Sequence, residues 1–222
     1  MQKQKLILWA TGQMSQTLEY YLTQSGSYEI AGYTMDREYI KETAFNGRPV
    51  VAFDEVEKIF PPTEYKMAIL ISYSHLNKLR EARYKTAKEK GYAFVSYVHP
   101  QSVCDASEIG ENTFVFGNND IQPYTKIGNN VVIWSNNGVG HHSVIEDNCF
   151  LASTKVSGHT VIGHNSFLGT GSSLADNIKV GAFCVIGTGA VVTKSVPDGS
   201  VLAAKQTPAV ALKSWDMEDV LG

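Results

Sequence analysis

A six-residue spacing of aliphatic side chains dominates the second half of the chain. Steps of six run from Val103 to Leu151, a step of five reaches Val156, and steps of six resume as far as Val192. All sixteen positions are leucine, isoleucine or valine, and glycine directly follows many of them. A repeat of this length predicts a parallel β-helix, in which one aliphatic side chain in six fills a narrow interior and small residues form the corners. We therefore expect residues 99–200 to form a β-helix domain.

Residues 1–98 show a different pattern, in which short apolar runs alternate with stretches of helical character. The predicted strands cover 5–10, 28–35, 48–53, 65–72 and 92–98. The predicted helices cover 15–25, 54–60 and 75–90. This alternation is typical of βαβ units, so we expect a small Rossmann-like α/β domain with a parallel sheet. Residues 201–222 follow neither pattern and are expected to form a tail, in which a short strand or helix within 208–222 caps the last coil.

Composition restricts the class of protein. The net charge is −3 and the chain has no long basic run, so neither a nucleic-acid nor a membrane partner is expected. The apolar run near the N terminus is too short for a signal peptide or a membrane span. Three widely spaced cysteines without a Cys-x-x-Cys pair favour a reducing, cytoplasmic location over a disulfide framework.

Four short motifs accompany the repeat: "NKLR" (77–80), "HP" (99–100), "NNGVGHHSVI" (136–145) and "GTGAVVTKSVPDG" (187–199). Together with the α/β region in front, they resemble the left-handed β-helix acyltransferases, in particular the bacterial nucleotide-sugar N-acetyltransferases and the related sialic acid O-acetyltransferases. The resemblance implies a cytoplasmic homotrimer of surface-glycan (lipopolysaccharide O-antigen) biosynthesis. It also implies acetyl-CoA as co-substrate between neighbouring β-helices, a nucleotide-linked amino sugar where the two domains meet, and no metal.

The resemblance assigns the chemical step to the segment around His141. Removing a proton from an amine suits histidine, whose pKa lies near the working pH. By alignment of the motif, His141 is the general base of a direct transfer without an acyl-enzyme. The next residue, normally acidic in the family, is His142 here and lacks the negative charge that would orient the base. In the repeat register Gly158 matches the family's backbone oxyanion donor one coil above His141, and His142 aligns with His159, which we assign to the substrate side.

The acyl-CoA contacts are predicted only as a region. Phe150 stands where family members often carry a second histidine near the pantetheine. Glycines of successive upper coils let the backbone approach a ligand closely, and lysines can meet phosphates. The predicted acyl-CoA residues are therefore Phe150, Gly158, Gly169, Gly171, Gly187, Gly189, Lys194 and Lys205.

Two residues of the front domain are predicted to bind the nucleotide sugar. The family has a glycine-rich turn after the first strand, and this chain offers Gly12 alone within "WATGQMSQ" (9–16). Asp36 follows the second predicted strand, where an acidic residue can bind ribose or base. The alternative role for Asp36 is to cap the N terminus of the following helix.

The sequence leaves three other functions open. Acetylation of a sugar hydroxyl would use the same base. His159 and His164, spaced as His-x4-His, are similar to zinc ligands of the gamma-class carbonic anhydrases, although Pro123 stands where a further ligand would be needed. A non-catalytic protein that binds a sugar nucleotide would also be compatible with the single-glycine turn.

Overall fold

The structure, a computed structural model, describes residues 3–211 and 213–217 and begins with a five-stranded sheet in the order β3-β4-β2-β1-β5. The strands are β1 (Gln4–Trp9), β2 (Tyr28–Met35), β3 (Ala44–Phe45), β4 (Arg48–Ala52) and β5 (Lys66–Ala68). The helices are α1 (Gln13–Gln24), α2 (Val56–Ile59) and α3 (Lys78–Glu89), with 3-10 turns at Arg37–Tyr39 and Phe53–Glu55. This α/β arrangement agrees with the predicted one.

The local sequence explains why these elements form. Helix α1 buries Ser15, Leu18, Glu19 and Leu22, whose spacing of three and four places them on one side of a helix. Leu6–Trp9 of β1 are all buried, as expected of a strand that is covered on both faces of the sheet. Strand β1 pairs in parallel with both β2 and β5, so its carboxyl end lies between those of β2 and β5.

The sheet is mixed, whereas the sequence predicted a wholly parallel one. Strand β3 pairs antiparallel with β4 through the two-residue loop Asn46-Gly47. Both loop residues have positive φ, 48° and 71°, as the tight turn of a β-hairpin requires. An Asn-Gly pair is a strong sequence signal for such a turn, so this strand was predictable.

The rest of the chain winds into a parallel β-helix with three faces, as predicted. Face 1 contains β6 (Tyr97–Val98), β9 (Phe114–Val115), β12 (Val132–Ile133), β15 (Phe150–Leu151), β18 (Phe167–Leu168), β21 (Val185–Ile186) and β23 (Val201–Leu202). Face 2 contains β7 (Val103–Cys104), β10 (Asp120–Ile121), β13 (Gly138–Val139), β16 (Lys155–Val156), β19 (Ser173–Leu174) and β22 (Val191–Val192). Face 3 contains β8 (Glu108–Ile109), β11 (Lys126–Ile127), β14 (Val144–Ile145), β17 (Val161–Ile162) and β20 (Lys179–Val180).

The first coil departs from the predicted register. Cys104, and not Val103, pairs with Ile121 and packs against the interior, while Val103 is 60% exposed. The first coil begins earlier than predicted, because Tyr97–Val98 pairs with Phe114–Val115 of the β-helix. The predicted strand 92–98 therefore does not exist as one element, and only Phe94 bridges to the front sheet, at Met67.

The corners between faces have a fixed backbone conformation. One residue per corner has a positive φ, between 52° and 70°, from Asn112 to Gly189. Seven of these fourteen residues are asparagine, which tolerates this left-handed region better than most side chains. His142 and His159 occupy such positions at the corner between faces 2 and 3, with φ of 56° and 54°. Their place in the chain is therefore compatible with a corner requirement as well as with chemistry.

Face 1 carries the front domain, and the two parts are joined by buried polar contacts. Arg80 of α3 is fully buried and donates to the carbonyl oxygens of Asn130, Asn148 and Cys149. Asn77 donates to the carbonyl of Asn165. The "NKLR" motif thus fixes α3 against the β-helix.

The tail continues the β-helix for one strand. Val201–Leu202 pairs with Val185–Ile186, so a short strand follows residue 200, ahead of the segment 208–222 in which a capping strand or helix was expected. A 3-10 turn covers Ser214–Met217, and Leu212 and residues 218–222 lie outside the described residues. In the described part of the chain, no helix has the length and apolar character needed to cross a bilayer.

Candidate active site

Three histidines meet at the corner between faces 2 and 3. The rings of His142 and His159 stack on successive coils, with centroids 4.9 Å apart and an interplanar angle of 15°. The ring of His141 is nearly perpendicular to both rings, at 89° to His142 and 88° to His159. All three side chains are exposed. The stacking follows from the repeat: His142 and His159 are equivalent residues of successive coils, and the coil between them contains the single step of five.

Gly158 lies directly above the ring of His141. A methyl group on Gly158 would be 3.1 Å from Cε1 and 3.2 Å from Nε2 of His141. A methyl group on Gly140, one coil below Gly158, would be 2.4 Å from the Gly158 nitrogen, so glycine is required there. The backbone of this corner is therefore packed as tightly as glycine allows, and the imidazole of His141 sits against it.

The N–H of Gly158 has no hydrogen-bond acceptor among the described residues. The equivalent N–H one coil below, that of His141, donates to the side-chain oxygen of Gln122 at 3.0 Å. One coil above Gln122 the equivalent residue is Gly140, which has no side chain that could accept a hydrogen bond from the Gly158 N–H. The half-buried donor of Gly158 is consequently available to an oxygen of a ligand.

His142 contacts the ring nitrogen of His141 that an acidic residue would be expected to contact. The two Nδ1 atoms are 3.0 Å apart. One ring must donate and the other accept, so the proton position on each is coupled to the other. The nearby acids have other partners: Asp147 accepts from the Asn129 N–H, and Glu146 accepts from the His164 N–H. The orienting role that the sequence left unassigned is thus available to His142.

The predicted acyl-CoA residues do not all lie at this corner. Phe150 is 4% exposed and packs on face 1 against Tyr73 and Phe167, beneath the front domain. Its position in this packed layer does not match the predicted place beside the pantetheine. The remaining glycines stack on successive coils at the corner between faces 1 and 2, one face away from His141; they are Gly169, Gly171, Gly187 and Gly189. Lys194 and Lys205 are exposed near the last coil.

A second concave site lies at the carboxyl ends of β1, β2 and β5. It is a cavity of about 400 Å³, and both Gly12 and Asp36 line it. Asp36 accepts from Arg83 at 2.6 Å, and its side chain makes no capping bond to the following 3-10 turn. The predicted capping role is therefore wrong, and Asp36 instead holds an arginine in the cavity wall. The Nε of Arg83 is buried and has no hydrogen-bond partner in the part of the chain that the structure describes.

Sequence reasoning missed three residues of these sites. Arg83 had no recognisable signal, because its partner Asp36 lies 47 positions earlier in the chain. Ala10 has a φ of 67° at the end of β1, so the strained position of this turn is Ala10 and not Gly12. Gln122 had no recognisable signal, because its partner is a backbone N–H one coil away. His164 lies at the corner between faces 3 and 1, with Nδ1 3.0 Å from Asn165 Oδ1, apart from the three-histidine cluster.

A protein-family match covers most of the repeat region of the chain. The sequence matches the family "Bacterial transferase hexapeptide (six repeats)" over residues 124–156 and 159–194. This match confirms the predicted repeat and includes the coils that carry His141, Gly158 and His159. No curated protein sequence matches the chain significantly.

Solved structures share the fold over most of the chain. The acetyltransferase domain of PglB from Neisseria gonorrhoeae FA1090 is 22% identical, with a TM-score of 0.80 over 90% of this chain and 96% of that chain. A mutant perosamine N-acetyltransferase from Caulobacter crescentus, in complex with CoA and GDP-perosamine, is 22% identical, with a TM-score of 0.79 over 90% and 97%. WeeI from Acinetobacter baumannii AYE is 22% identical, with a TM-score of 0.77 over 90% and 96%. These likenesses confirm the predicted fold, an α/β domain followed by a left-handed β-helix.

Proposed function

We propose that the protein transfers an acetyl group from acetyl-CoA to the amino group of a nucleotide-linked deoxyamino sugar. The observation that carries this proposal is the imidazole of His141 packed against Gly158, whose N–H has no acceptor among the described residues. A base and an oxyanion donor on one corner are the two groups that acyl transfer to an amine needs. The ligands of two similar structures, acetyl-CoA in one and GDP-perosamine with CoA in another, support the choice of substrates.

In this mechanism His141 Nε2 accepts the proton that the attacking amine loses. The amine nitrogen forms a bond to the thioester carbonyl carbon, and the Gly158 N–H donates to the oxygen that becomes negative. When the carbon–sulfur bond breaks, the electron pair returns to the sulfur, and the proton held on His141 can pass to the departing thiolate. The products are the N-acetyl sugar nucleotide and CoA, and no acyl-enzyme forms.

His142 acts in this mechanism as the residue that positions the base. If His141 is to accept a proton at Nε2, its own proton must lie on Nδ1 and be donated to Nδ1 of His142. The 3.0 Å separation fits that bond. His142 therefore replaces the family's acid as a hydrogen-bond acceptor while contributing no charge, and this tautomer is our assignment. His159, stacked on His142, faces the substrate side of the same corner.

The two remaining parts of the proposal concern binding. The front domain, which precedes β6, binds the nucleotide in the cavity lined by Gly12 and Asp36, where Arg83 also lines the wall and can meet a phosphate. The β-helix domain, which begins at Tyr97, binds acetyl-CoA along the upper coils with its phosphates near Lys194 and Lys205, and the tail beyond Leu202 caps its last coil. We propose a cytoplasmic homotrimer in surface-glycan biosynthesis, with acetyl-CoA between neighbouring copies.

The test replaces His141 by Asn and measures release of free CoA with a panel of amino and hydroxy sugar nucleotides. We expect kcat to fall by about 10²–10⁴-fold with little change in KM, because a general base contributes on that order. His75→Asn is the matched control, since His75 is an exposed histidine outside the cluster. Turnover of His141→Asn close to that of the unmodified protein would refute the role of His141. CoA release only with hydroxy sugars would replace N-acetylation by O-acetylation.

A further inference from the structure

The three-histidine cluster has a composition that acetyl transfer does not require. One ring nitrogen from each of His141, His142 and His159 can be chosen so that all three lie within 4.8 Å of one another. The resemblance to the acyltransferases accounts for one histidine and one acid at residues 141 and 142, and for none of the three acting together. Neutral imidazole is a favoured ligand of divalent zinc and copper.

The backbone holds the three side chains in place without using their rings. The N–H of His142 donates to the Pro123 carbonyl at 3.2 Å, and the N–H of His159 donates to the His141 carbonyl at 2.9 Å. The N–H of His141 is held by Gln122. The left-handed backbone of His142 and His159 is the same as at the other corners, so the side chains leave a rigid coil in fixed directions. All three rings are exposed and can turn without disturbing the core.

The distances suit a single ion. Zinc bonds to imidazole nitrogen are about 2.0–2.1 Å long, so two nitrogens on one tetrahedral ion lie about 3.3 Å apart. The Nδ1 atoms of His141 and His142 are already 3.0 Å apart. One nitrogen of each ring lies within 4.8 Å of the others, so a rotation of the exposed His159 ring is the adjustment that a third bond to the same ion requires. An ion between the two Nδ1 atoms takes the place of the proton that they share.

We propose that His141, His142 and His159 bind one divalent transition-metal ion of the zinc class, with water as the fourth ligand, and that this ion reversibly inhibits the protein. An ion on Nδ1 of His141 leaves the ring's proton on Nε2, where the base needs a lone pair. The ion therefore blocks proton transfer by fixing the wrong tautomer, and it acts as an inhibitor and not as a cofactor. The binding part stands on geometry alone, and the inhibition part rests on the proposed function.

The binding test uses untagged full-length protein and Co²⁺, whose visible absorption reports coordination by nitrogen. We expect saturable binding of one ion, displaced by Zn²⁺. His142→Asn and His159→Asn keep a side chain that tolerates the left-handed backbone and remove one ligand each, so each should weaken Co²⁺ binding at least about tenfold. His75→Asn, at a φ of 52° outside the cluster, should bind Co²⁺ like the unmodified protein. No saturable binding, or binding unaltered in both cluster variants, would overturn the site.

The inhibition test measures CoA release at increasing Zn²⁺ with and without a chelator. We expect inhibition at the concentrations that fill the site, full recovery on chelation, and a shift of the inhibiting concentration in His159→Asn that equals the shift in affinity. Equal inhibition of His159→Asn and the unmodified protein would refute the link between site and activity. If the protein bound Co²⁺ as described but released CoA with no sugar nucleotide, the proposed function would fail and the metal site would remain.

Discussion

Arg80→Lys tests the buried seam between the α/β domain and the β-helix. The guanidinium reaches five acceptors: the carbonyls of Ile71, Asn130, Asn148 and Cys149, and Oδ1 of Asn77, at 2.8–3.3 Å. Lysine keeps the charge but has three donors, so at least two of these acceptors lose their bond. The Cys149 carbonyl keeps the Val132 N–H as a donor, so one or two acceptors are left unsatisfied. Each buried acceptor left unsatisfied costs about 1–3 kcal/mol, so the variant should lose about 1–6 kcal/mol of unfolding free energy.

The loss is measurable by circular dichroism during thermal and urea unfolding. For a chain of this size the expected loss corresponds to a fall in Tm of about 2–24 °C. Burial lowers the pKa of Arg80 to about 10, so the side chain is still protonated at neutral pH and the comparison with lysine holds charge constant. Arg37→Lys is the matched control, because Arg37 is 59% exposed in its pair with Asp54 and should change stability by less than about 0.5 kcal/mol. Equal stability of Arg80→Lys and Arg37→Lys would refute the assignment of the seam to Arg80.

Two further predictions concern the α/β domain. Ala10→Gly should raise the unfolding free energy by about 0.5–1 kcal/mol, because Ala10 has a φ of 67°. The control Ala31→Gly, within β2, should lower the unfolding free energy. Urea midpoints that fall in both variants would contradict this prediction. Burial, with the hydrogen bond to Glu19, raises the pKa of Tyr33 from 10.0 to about 12. The stability that the protonated Tyr33 hydroxyl contributes is therefore complete below pH 10 and is lost as the pH rises from 10 to 12. Urea midpoints should therefore fall less steeply across this interval in Tyr33→Phe, and parallel curves would contradict the assignment.

The sequence predicted the β-helix because a narrow interior leaves little choice of side chain. The spacing placed fourteen of the sixteen aliphatic residues in the buried core, and the exceptions, Val103 and Ile109, both lie in the first coil. There Cys104 takes the inward position, and a search limited to leucine, isoleucine and valine could not find it. The strand at Tyr97–Val98 was misassigned because an apolar run is compatible with either sheet, and only the pairing partner distinguishes them.

The seam could not be predicted in the same way. Arg80 and Asn77 bond to main-chain carbonyls of residues 50 to 89 positions later in the chain. A carbonyl is present at every residue, so it leaves no mark in the sequence. The motif "NKLR" identified Asn77 and Arg80 by resemblance. The structure gives the reason: the buried guanidinium and amide donate hydrogen bonds across the seam to the β-helix.

At the histidine corner the sequence predicted the register of the coils but not the geometry of the side chains. The spacing alone predicted that His142 aligns with His159 and that Gly158 lies above His141, and the structure confirms both placements. The 3.0 Å contact between the two Nδ1 atoms depends on side-chain torsions and was not predictable. Two constraints meet at residue 142, a left-handed backbone and an acceptor for the proton of His141. Asparagine and aspartate meet both with an oxygen acceptor, and histidine meets both with a ring nitrogen. Only histidine adds a third imidazole ligand, which makes the corner a candidate metal site.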